Sequence, residues 1–182
     1  MNRRGFTMIE LIVVLTVGGI LAILGTMASV NTLRAIQLTD GSMKLANDIS
    51  YAQKYASSFY IQTMVTFEAS RARFYTLSGA TLRSLPNPAK PTAQLICNLN
   101  TDFGIGINFN NSVIPSSARS ILFLPNGTPC QYSTGTPKIP LASETSLCLV
   151  RYADRSKTVP FSSSVKFKTI TIQPNTGMVK IL

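Results

Sequence analysis

The sequence predicts an α+β protein in which one long amino-terminal helix precedes an antiparallel β domain. Three observations lead to this fold class. An apolar run without charges covers residues 11–33, and a helical pattern of apolar residues continues to about residue 60. The rest of the chain alternates short β-branched and aromatic segments with turn residues. The 182 residues suit one domain with an appended segment.

The composition argues against an enzyme. Hydrophobic residues make up 45% of the chain and charged residues 13%, and there is no His. Catalytic triads that use His and the common zinc sites are therefore unavailable, and seven acidic residues are few for a carboxylate metal cage. We predict no catalytic residue, no metal and no cofactor. A membrane-anchored enzyme is the least favoured functional class because the sequence shows no pair of nucleophile and base.

The apolar run from Leu11 to Leu33 is long enough to cross a membrane. Its 23 residues would span roughly 35 Å as a helix, against about 30 Å for a hydrocarbon core. Arg3 and Arg4 before it predict a cytoplasmic amino terminus, so residues beyond Arg34 would lie outside. A secretory signal peptide and a plain anchor are the alternatives, but the run is long for a signal and no clear cleavage site closes it.

Neither alternative explains Glu10. A carboxylate at the edge of a membrane helix costs roughly 2–3 kcal/mol unless it finds a partner. Cleavage after Gly5 would create an α-amino group on Phe6, four residues before Glu10. An ammonium at that spacing can pair with the carboxylate, on the same helix or on a neighbouring subunit.

The segment Arg-Arg-Gly-Phe-Thr-Met-Ile-Glu-Leu at residues 3–11, with the apolar helix behind it, resembles the prepilin peptidase signature of type IV pilins and type II secretion pseudopilins. The resemblance implies cleavage between Gly5 and Phe6, N-methylation of Phe6, and a role for Glu10 in guiding subunits into a filament. It also implies a pilin-like fold, in which a long transmembrane helix packs on a carboxy-terminal antiparallel β domain. The implied location is the bacterial inner membrane, crossed once, with the β domain in the periplasm.

The same resemblance implies the partners and the division of the chain. The partners are other pilin or pseudopilin subunits, the prepilin peptidase/N-methyltransferase, inner-membrane lipids and the assembly platform, with weak DNA binding as a further possibility. We predict four segments, which are a leader over residues 1–5, a transmembrane helical half over 6–33, an amphipathic helical half over 34–60 and a β-rich domain over 61–182.

The amphipathic half has an apolar stripe at helical spacing, which predicts packing on its own domain. The stripe consists of Leu45, Ile49, Ala52, Ala56 and Phe59. Glycines weaken a helix locally, and they either bend it or allow close contact between helices. We favour close contact for Gly18 and Gly19, and both roles remain open for Gly41.

Seven strands are predicted in the β domain. They are residues 61–68, 71–77, 105–109, 120–124, 146–152, 165–172 and 178–182. Residues 84–94 contain three prolines and are predicted to be a loop. The strand and turn over 120–127, the ending over 169–180 and the helical segment 48–56 are similar to those of H-type pseudopilins and FimT-like minor pilins. That subfamily is favoured over a major pilin or another minor pilin.

The three cysteines are an odd number in a chain whose β domain is expected in an oxidising compartment. Cys130 and Cys148 flank a 17-residue loop and are the preferred disulfide pair. Closing such a loop would stabilise the fold by about 3 kcal/mol. The alternative is that Cys97, Cys130 and Cys148 are all buried thiols.

The excess of basic residues raises the question of an anionic partner. The net charge is +10, and it remains +8 without the two leader arginines. Lys166 and Lys168 are predicted to share a strand face, and with Lys180 they form a candidate phosphate site. FimT-like DNA-binding pilins end in Gly-Arg-x-Arg, whereas residues 177–180 read Gly-Met-Val-Lys, without the bidentate arginine fork. A solvated face and a match to anionic lipid headgroups are the alternatives.

Taken together, these features predict a structural minor pseudopilin or pilin of a type II secretion or type IV pilus filament. A DNA-binding minor pilin for DNA uptake and a major pilin remain the alternatives.

Overall fold

Helix α1, Met8–Phe59, is followed by a β-rich region in the computed structural model. Residues 7–79, 81–114, 119–132, 139–157 and 165–182 are described. The chain divides into a first unit, Met1–Ile36, and a second unit, Gln37–Leu182. The predicted fold class, a long amino-terminal helix followed by an antiparallel β domain, is confirmed.

In the first unit, α1 is apolar and exposed. An 18-residue window has a mean hydropathy of 2.5 and is entirely unburied, so α1 is long and apolar enough to cross a membrane. Its hydroxyl groups bond within the helix, since Thr16 donates to the Ile12 and Val13 carbonyls and Ser29 donates to the Gly25 carbonyl. These side chains therefore need no external hydrogen-bond partner in an apolar environment.

The second unit contains the strands and one short helix. In chain order they are β1 (Gln62–Phe67), β2 (Arg71–Ser78), β3 (Thr81–Ser84), β4 (Pro86–Asn87), β5 (Lys90–Gln94), β6 (Ile96–Asn98), α2 (Leu99–Phe103), β7 (Ile105–Val113), β8 (Ser120–Phe123), β9 (Pro129–Gln131), β10 (Ile139–Pro140), β11 (Thr145–Arg151), β12 (Phe167–Ile172) and β13 (Val179–Ile181). A 3₁₀ turn, Tyr152–Asp154, follows β11.

The strands form two large antiparallel sheets and a small hairpin. The first sheet has the order β10-β9-β8-β1-β2-β3, and β6 also pairs with β2. The second sheet has the order β13-β12-β11-β7, and β4 pairs only with β5. In the first sheet Val65 lies opposite both Phe74 and Ile121, and in the second Leu147 lies opposite Ile170. All five are buried in one core, which identifies the inner face of each sheet.

The second unit's part of α1 packs on this core through the predicted stripe. Leu45, Ile49, Ala52 and Ala56 are fully buried, which confirms four of its five members. The prediction is wrong for Phe59, whose side chain is 61% exposed. Phe59 is the last residue of the helix, and its ring stacks on that of Tyr55 at 4.4 Å between centroids instead of entering the core.

The proline-rich segment 84–94 is not a loop. It contains the end of β3 and the β4–β5 hairpin, and it is anchored by the buried side chains of Leu85 and Leu95. The Leu85 amide donates to the Phe74 carbonyl, and the Leu95 amide donates to the Leu85 carbonyl. Proline is compatible with a strand that has an open edge, so three prolines did not prevent strand formation in this small sheet. All seven predicted strands are present, and the third extends to Val113.

Gly41 provides a close contact between α1 and the second sheet. A Cβ atom at this position would collide with the Cδ1 atom of Ile105 and lie 3.1 Å from Cγ of Phe103. Of the two roles left open for Gly41, the structure supports close packing. A Cβ atom at Gly18 or Gly19 would meet no atom of the described chain within 4 Å outside its own helix turn, so close contact there stays a prediction about neighbouring subunits.

Candidate assembly site

The first turn of α1 is capped by Thr7 and Glu10. The Thr7 amide and hydroxyl both donate to Oε2 of Glu10 at 3.4 Å, and the Glu10 amide donates to the Thr7 hydroxyl at 3.4 Å. This reciprocal arrangement is a capping box, which satisfies amide groups that the helix itself leaves unpaired. The Glu10 carboxylate thus caps its own helix, and because Glu10 is exposed, the carboxylate is also accessible to a partner.

The capping role of Thr7 was missed in the sequence, although its signal was present. Thr-x-x-Glu directly before an apolar run is the sequence pattern of a capping box. Gly5 and Phe6 lie outside the described residues, so the cleavage and methylation sites stay predictions, as does the assembly role of Glu10.

The surface behind the cap is apolar along the described part of the first unit. Large aliphatic side chains are 42–83% exposed, and none in this unit is buried. They include Met8, Ile9, Leu11, Val14, Ile20, Leu24, Leu33 and Ile36. A monomer in water would lose roughly 1.5–3 kcal/mol for each such side chain left uncovered. A continuous exposed apolar surface of this kind is typical of interaction with lipid or with other protein chains.

In the second unit, two turns converge on the side chain of Gln53. Its Nε2 atom donates to the Gly127 carbonyl at 2.9 Å and to the Thr176 carbonyl at 2.6 Å. Gly127 and Gly177 both have left-handed backbone, with φ of +80° and +66°. A Cβ atom at Gly177 would collide with the Gln53 amide and lie 3.0 Å from the Gly127 carbonyl oxygen. Gln53 thus joins α1 to one turn from each large sheet.

Comparisons with known proteins address both the amino terminus and the fold. Residues 1–26 match the prokaryotic N-terminal methylation motif. The minor pseudopilin EpsH from the Type 2 Secretion System of Vibrio cholerae is similar in structure, with a TM-score of 0.53 and 11% identity, over 80% of this chain and 96% of that chain.

The chain carries the methylation motif and has a pilin-like fold.

The motif supplies the amino-terminal feature of this description, and the likeness to EpsH supplies the fold alone, since the identity is low. The type IV minor pilin FimU of Pseudomonas aeruginosa (strain PAO1) is 14% identical to the pilin-like chain, with a TM-score of 0.49, over 81% of this chain and 90% of that chain. No curated protein sequence matches the chain.

The three cysteines are buried, and the predicted Cys130–Cys148 disulfide is not formed in the structure. Cys97 belongs to the main core, whereas Cys130 and Cys148 lie in two separate small clusters. The loop between Cys130 and Cys148 does not join paired strands, because β9 belongs to the first sheet and β11 to the second. Spacing in the sequence cannot reveal that change of sheet.

A buried carboxylate lies where α1 meets the first sheet. The Asp48 side chain is 6% exposed, and its Oδ1 atom forms an ion pair at 2.5 Å with Nζ of Lys44, which is 48% exposed. Burial raises the pKa of Asp48 above its ordinary value, although Lys44 acts in the opposite direction. Burial, and secondarily the charge of Asp48, raises the pKa of the nearby Cys97 thiol to about 12, so this thiol is unreactive at neutral pH.

The three lysines of the candidate phosphate site do not share one face of the second sheet. Lys168 lies opposite Leu149, on the face that carries the core. Lys180 lies opposite Thr171, on the other face, and Lys166 precedes β12. Alternation along β12 therefore separates Lys168 from Lys180.

Proposed function

We propose that this pilin-like chain is a minor pseudopilin of a type II secretion system, a structural subunit rather than a catalyst. Prepilin peptidase cleaves after Gly5 and the enzyme's methyltransferase activity methylates Phe6. The mature subunit then waits in the inner membrane, crossing it once, with the β domain in the periplasm, until it enters a filament. The exposed apolar surface of α1, which begins within the methylation motif and continues beyond it, is the observation that carries this proposal.

The apolar surface of α1 needs a covering both in the membrane before assembly and in the assembled filament. Lipid tails cover it before assembly, and apolar helices of other subunits cover it in the filament core. The exchange has little net hydrophobic cost, because both environments are apolar, so small differences in packing and in polar pairing decide whether a subunit is recruited.

Glu10 supplies a difference in polar pairing between the membrane and the filament. Among the described residues its carboxylate accepts long hydrogen bonds of 3.4 Å, both from Thr7. The new α-amino group of a neighbouring subunit would give it a charged partner in a medium of low dielectric constant, where an ion pair is stronger than in water. Glu10 therefore acts as the guide that sets a new subunit in register.

Two observations support a secretion role over DNA uptake. EpsH, a minor pseudopilin of a type II secretion system, shares the fold over most of its length. The ending Gly177-Met-Val-Lys180 lacks the paired arginines of DNA-binding pilins, and its lysine lies on the opposite sheet face from Lys168. A continuous phosphate track of these lysines is therefore not available.

Processing is tested by intact-mass analysis of the full chain expressed with and without prepilin peptidase. We expect the loss of Met1–Gly5 and the gain of one methyl group on Phe6. Gly5→Ala should still be cleaved, whereas Gly5→Leu should block cleavage. A mature chain that starts elsewhere, for example after Ala28, would replace the proposal with a secretory signal peptide.

Recruitment is tested with Glu10→Val and, as a matched control, Glu10→Gln. Both variants remove the charge, so both should insert and be cleaved normally. We expect both to be recruited poorly, with Glu10→Gln retaining part of the cap. Normal assembly of Glu10→Val would show that charge pairing is not needed in this subunit.

The choice between secretion and DNA uptake is tested by deleting the gene in the parent bacterium. We expect exoproteins to accumulate in the periplasm and DNA uptake to be unchanged. The reverse result would assign the chain to a pilus that takes up DNA.

A further inference from the structure

Three cations lie together at one end of the second sheet. Arg151 is the last residue of β11, and Lys166 and Lys168 stand at the start of β12. Lys168 lies directly opposite Leu149, so Arg151, two residues further along β11, shares its face. Lys166 directly precedes β12, two positions before Lys168. We call Arg151, Lys166 and Lys168 the basic rim.

The basic rim has no carboxylate partner among the described residues. The ion pairs of the described chain involve Glu68 with two arginines, Asp48 with Lys44 and Asp154 with Lys157, but none of the rim cations. The neighbouring Arg155 stacks on the ring of Tyr152, 3.9 Å from its centroid. Like charges on neighbouring strand ends repel one another. Unpaired cations in that arrangement favour an anionic partner from outside the chain.

The rim is at the end of the second unit where the chain enters it. Arg151 lies opposite Ile105, and Ile105 is the residue against which Gly41 of α1 packs. Gln53, twelve residues later on α1, contacts the turns at the other end of the sheet. Two carboxylates, Asp40 and Asp102, stand on the helices at the rim's end, and both are exposed.

We propose that the basic rim binds the anionic headgroups of the outer leaflet while the subunit waits in the membrane, and thereby holds the β domain in one orientation. The inference rests on the proposed insertion of the apolar segment. Arg34 closes that segment, and the seven residues from Arg34 to Gly41 span at most about 25 Å of chain. The rim is therefore within reach of a headgroup layer, where lysine and arginine side chains near an apolar segment attract acidic lipids.

A lipid surface fits the rim better than a nucleic acid does. A row of phosphates along DNA would need a continuous track of cations, but Lys180 lies on the opposite sheet face. A lipid surface offers many phosphates in one plane, so three cations at one end of a domain suffice. The pairing is electrostatic, and it weakens with salt once the groups are farther apart than the screening length.

The experiment measures how near each end of the domain lies to the headgroups. The full processed chain is reconstituted in vesicles of phosphatidylcholine alone or with phosphatidylglycerol, both containing a headgroup spin label. A fluorophore is attached at Ala153→Cys beside the rim or at Asn175→Cys in the distal turn, both exposed positions. The native thiols are buried. Quenching of the fluorophore reports proximity.

We expect strong quenching at residue 153 only in the acidic vesicles at low salt, and weak quenching at residue 175 in all vesicles. The triple variant Arg151→Gln, Lys166→Gln and Lys168→Gln should shift the bound-to-free ratio of the domain toward the free state by roughly 100-fold, at about fivefold per cation. The matched triple variant Lys54→Gln, Arg83→Gln and Lys90→Gln removes the same charge from other exposed positions and should leave quenching unchanged.

Equal quenching in neutral vesicles, or full quenching in the rim variant, would overturn the proposal. So would tight binding of a short DNA duplex that the rim variant abolishes while lipid quenching persists, because the rim would then serve nucleic acid. Flotation of the chain with vesicles is scored separately. A chain that fails to float contradicts the proposed membrane insertion, whereas a chain that floats without rim-dependent quenching contradicts only the role of the rim.

Discussion

Residues 7–36 and residues 37–182 use the same aliphatic residue types in opposite ways. In the first unit Ile, Leu and Val side chains are exposed on every side of one helix, whereas in the second the same residue types form a closed core between two sheets and α1. The strands provide alternate faces, so half of each strand can be buried and half can face water. The single helix has no such partner in its own described chain. The second unit therefore has a core of its own, whereas the aliphatic side chains of the first unit are left uncovered by the described chain.

Polar groups follow the same division. Thr16, Thr26 and Ser29 in the first unit donate to carbonyls of their own helix. Thr63 and Gln53 in the second unit donate to other elements, the former to the Ala52 carbonyl at 2.9 Å. A helix whose polar groups are satisfied internally can exchange lipid for protein neighbours without breaking a hydrogen bond. The second unit would have to break bonds between elements to change its arrangement.

The largest expected loss of stability comes from a glycine substitution, and a pair of such substitutions separates steric collision from backbone strain. Gly177 and Gly79 both have positive φ, but only at Gly177 would a Cβ atom meet other atoms within 4 Å. Gly79→Ala should lower the free energy of unfolding by about 1–2 kcal/mol, from backbone strain alone. Gly177→Ala should lower it by about 3 kcal/mol or more, since the overpacking against Gln53 adds to the strain.

Denaturant titration of the full chain in detergent measures both losses of unfolding free energy. Gly18→Ala in the first unit is the control that leaves the second unit unchanged. Equal losses at Gly177 and Gly79 would show that the Gln53 contact carries no steric constraint.

Removal of the Gln53 amide should have the next largest effect. Gln53→Ala deletes two hydrogen bonds and leaves the Gly127 and Thr176 carbonyls without that donor, so we expect the free energy of unfolding to fall by about 1–3 kcal/mol. Lys54→Ala, at the adjacent exposed position, should change it by less than about 0.5 kcal/mol. Hydrogen exchange of the two turns should accelerate only in Gln53→Ala. Unchanged exchange there would exclude the amide as the link between the sheets.

The buried Asp48 should make the stability of the second unit depend on pH. Its folded-state pKa is raised above the ordinary 3.8, so the folded form holds the proton more tightly than the unfolded form. The stabilising contribution of the protonated group is complete below pH 3.8 and is lost as the pH rises through the raised pKa. Asp48→Asn should therefore gain thermal stability relative to the parent chain as the pH increases from 4 to 7. A constant difference in Tm over this range would contradict the raised pKa.

The smallest expected effect concerns the cap of the first unit. Thr7→Val keeps the shape of the side chain but removes the hydroxyl, which should destabilise the first helical turn by about 1 kcal/mol. Hydrogen exchange of the amides of residues 8–10 in lipid should accelerate, while the Tm of the second unit should not change. A fall in that Tm would show that the first turn and the second unit are not independent.

Local pattern allowed most elements to be predicted, and the failures have physical reasons. The strands β1 and β2 were predicted because β1 is rich in β-branched and aromatic residues and the next such segment along the chain could pair with it. The short strands β4, β6, β9 and β10 have only two or three residues and no detectable period. They are strands because a neighbouring backbone pairs with them. Gln53 was missed for the same reason, since its partners are 74 and 123 residues away in the sequence.

The sequence by itself determined the chemical features of the amino-terminal segment. The methylation motif, the capping pattern of Thr7 and Glu10, and the charge-free run all lie within 34 consecutive residues, so local chemistry is sufficient to read them. Only the tertiary structure decided that Gly41 is a packing contact and that the cysteines occupy three separate clusters. It also decided that Arg151, and not Lys180, lies on the same sheet face as Lys168. Each of these depends on which strand pairs with which and in what register, because a shift of one residue moves a side chain to the other face of its sheet.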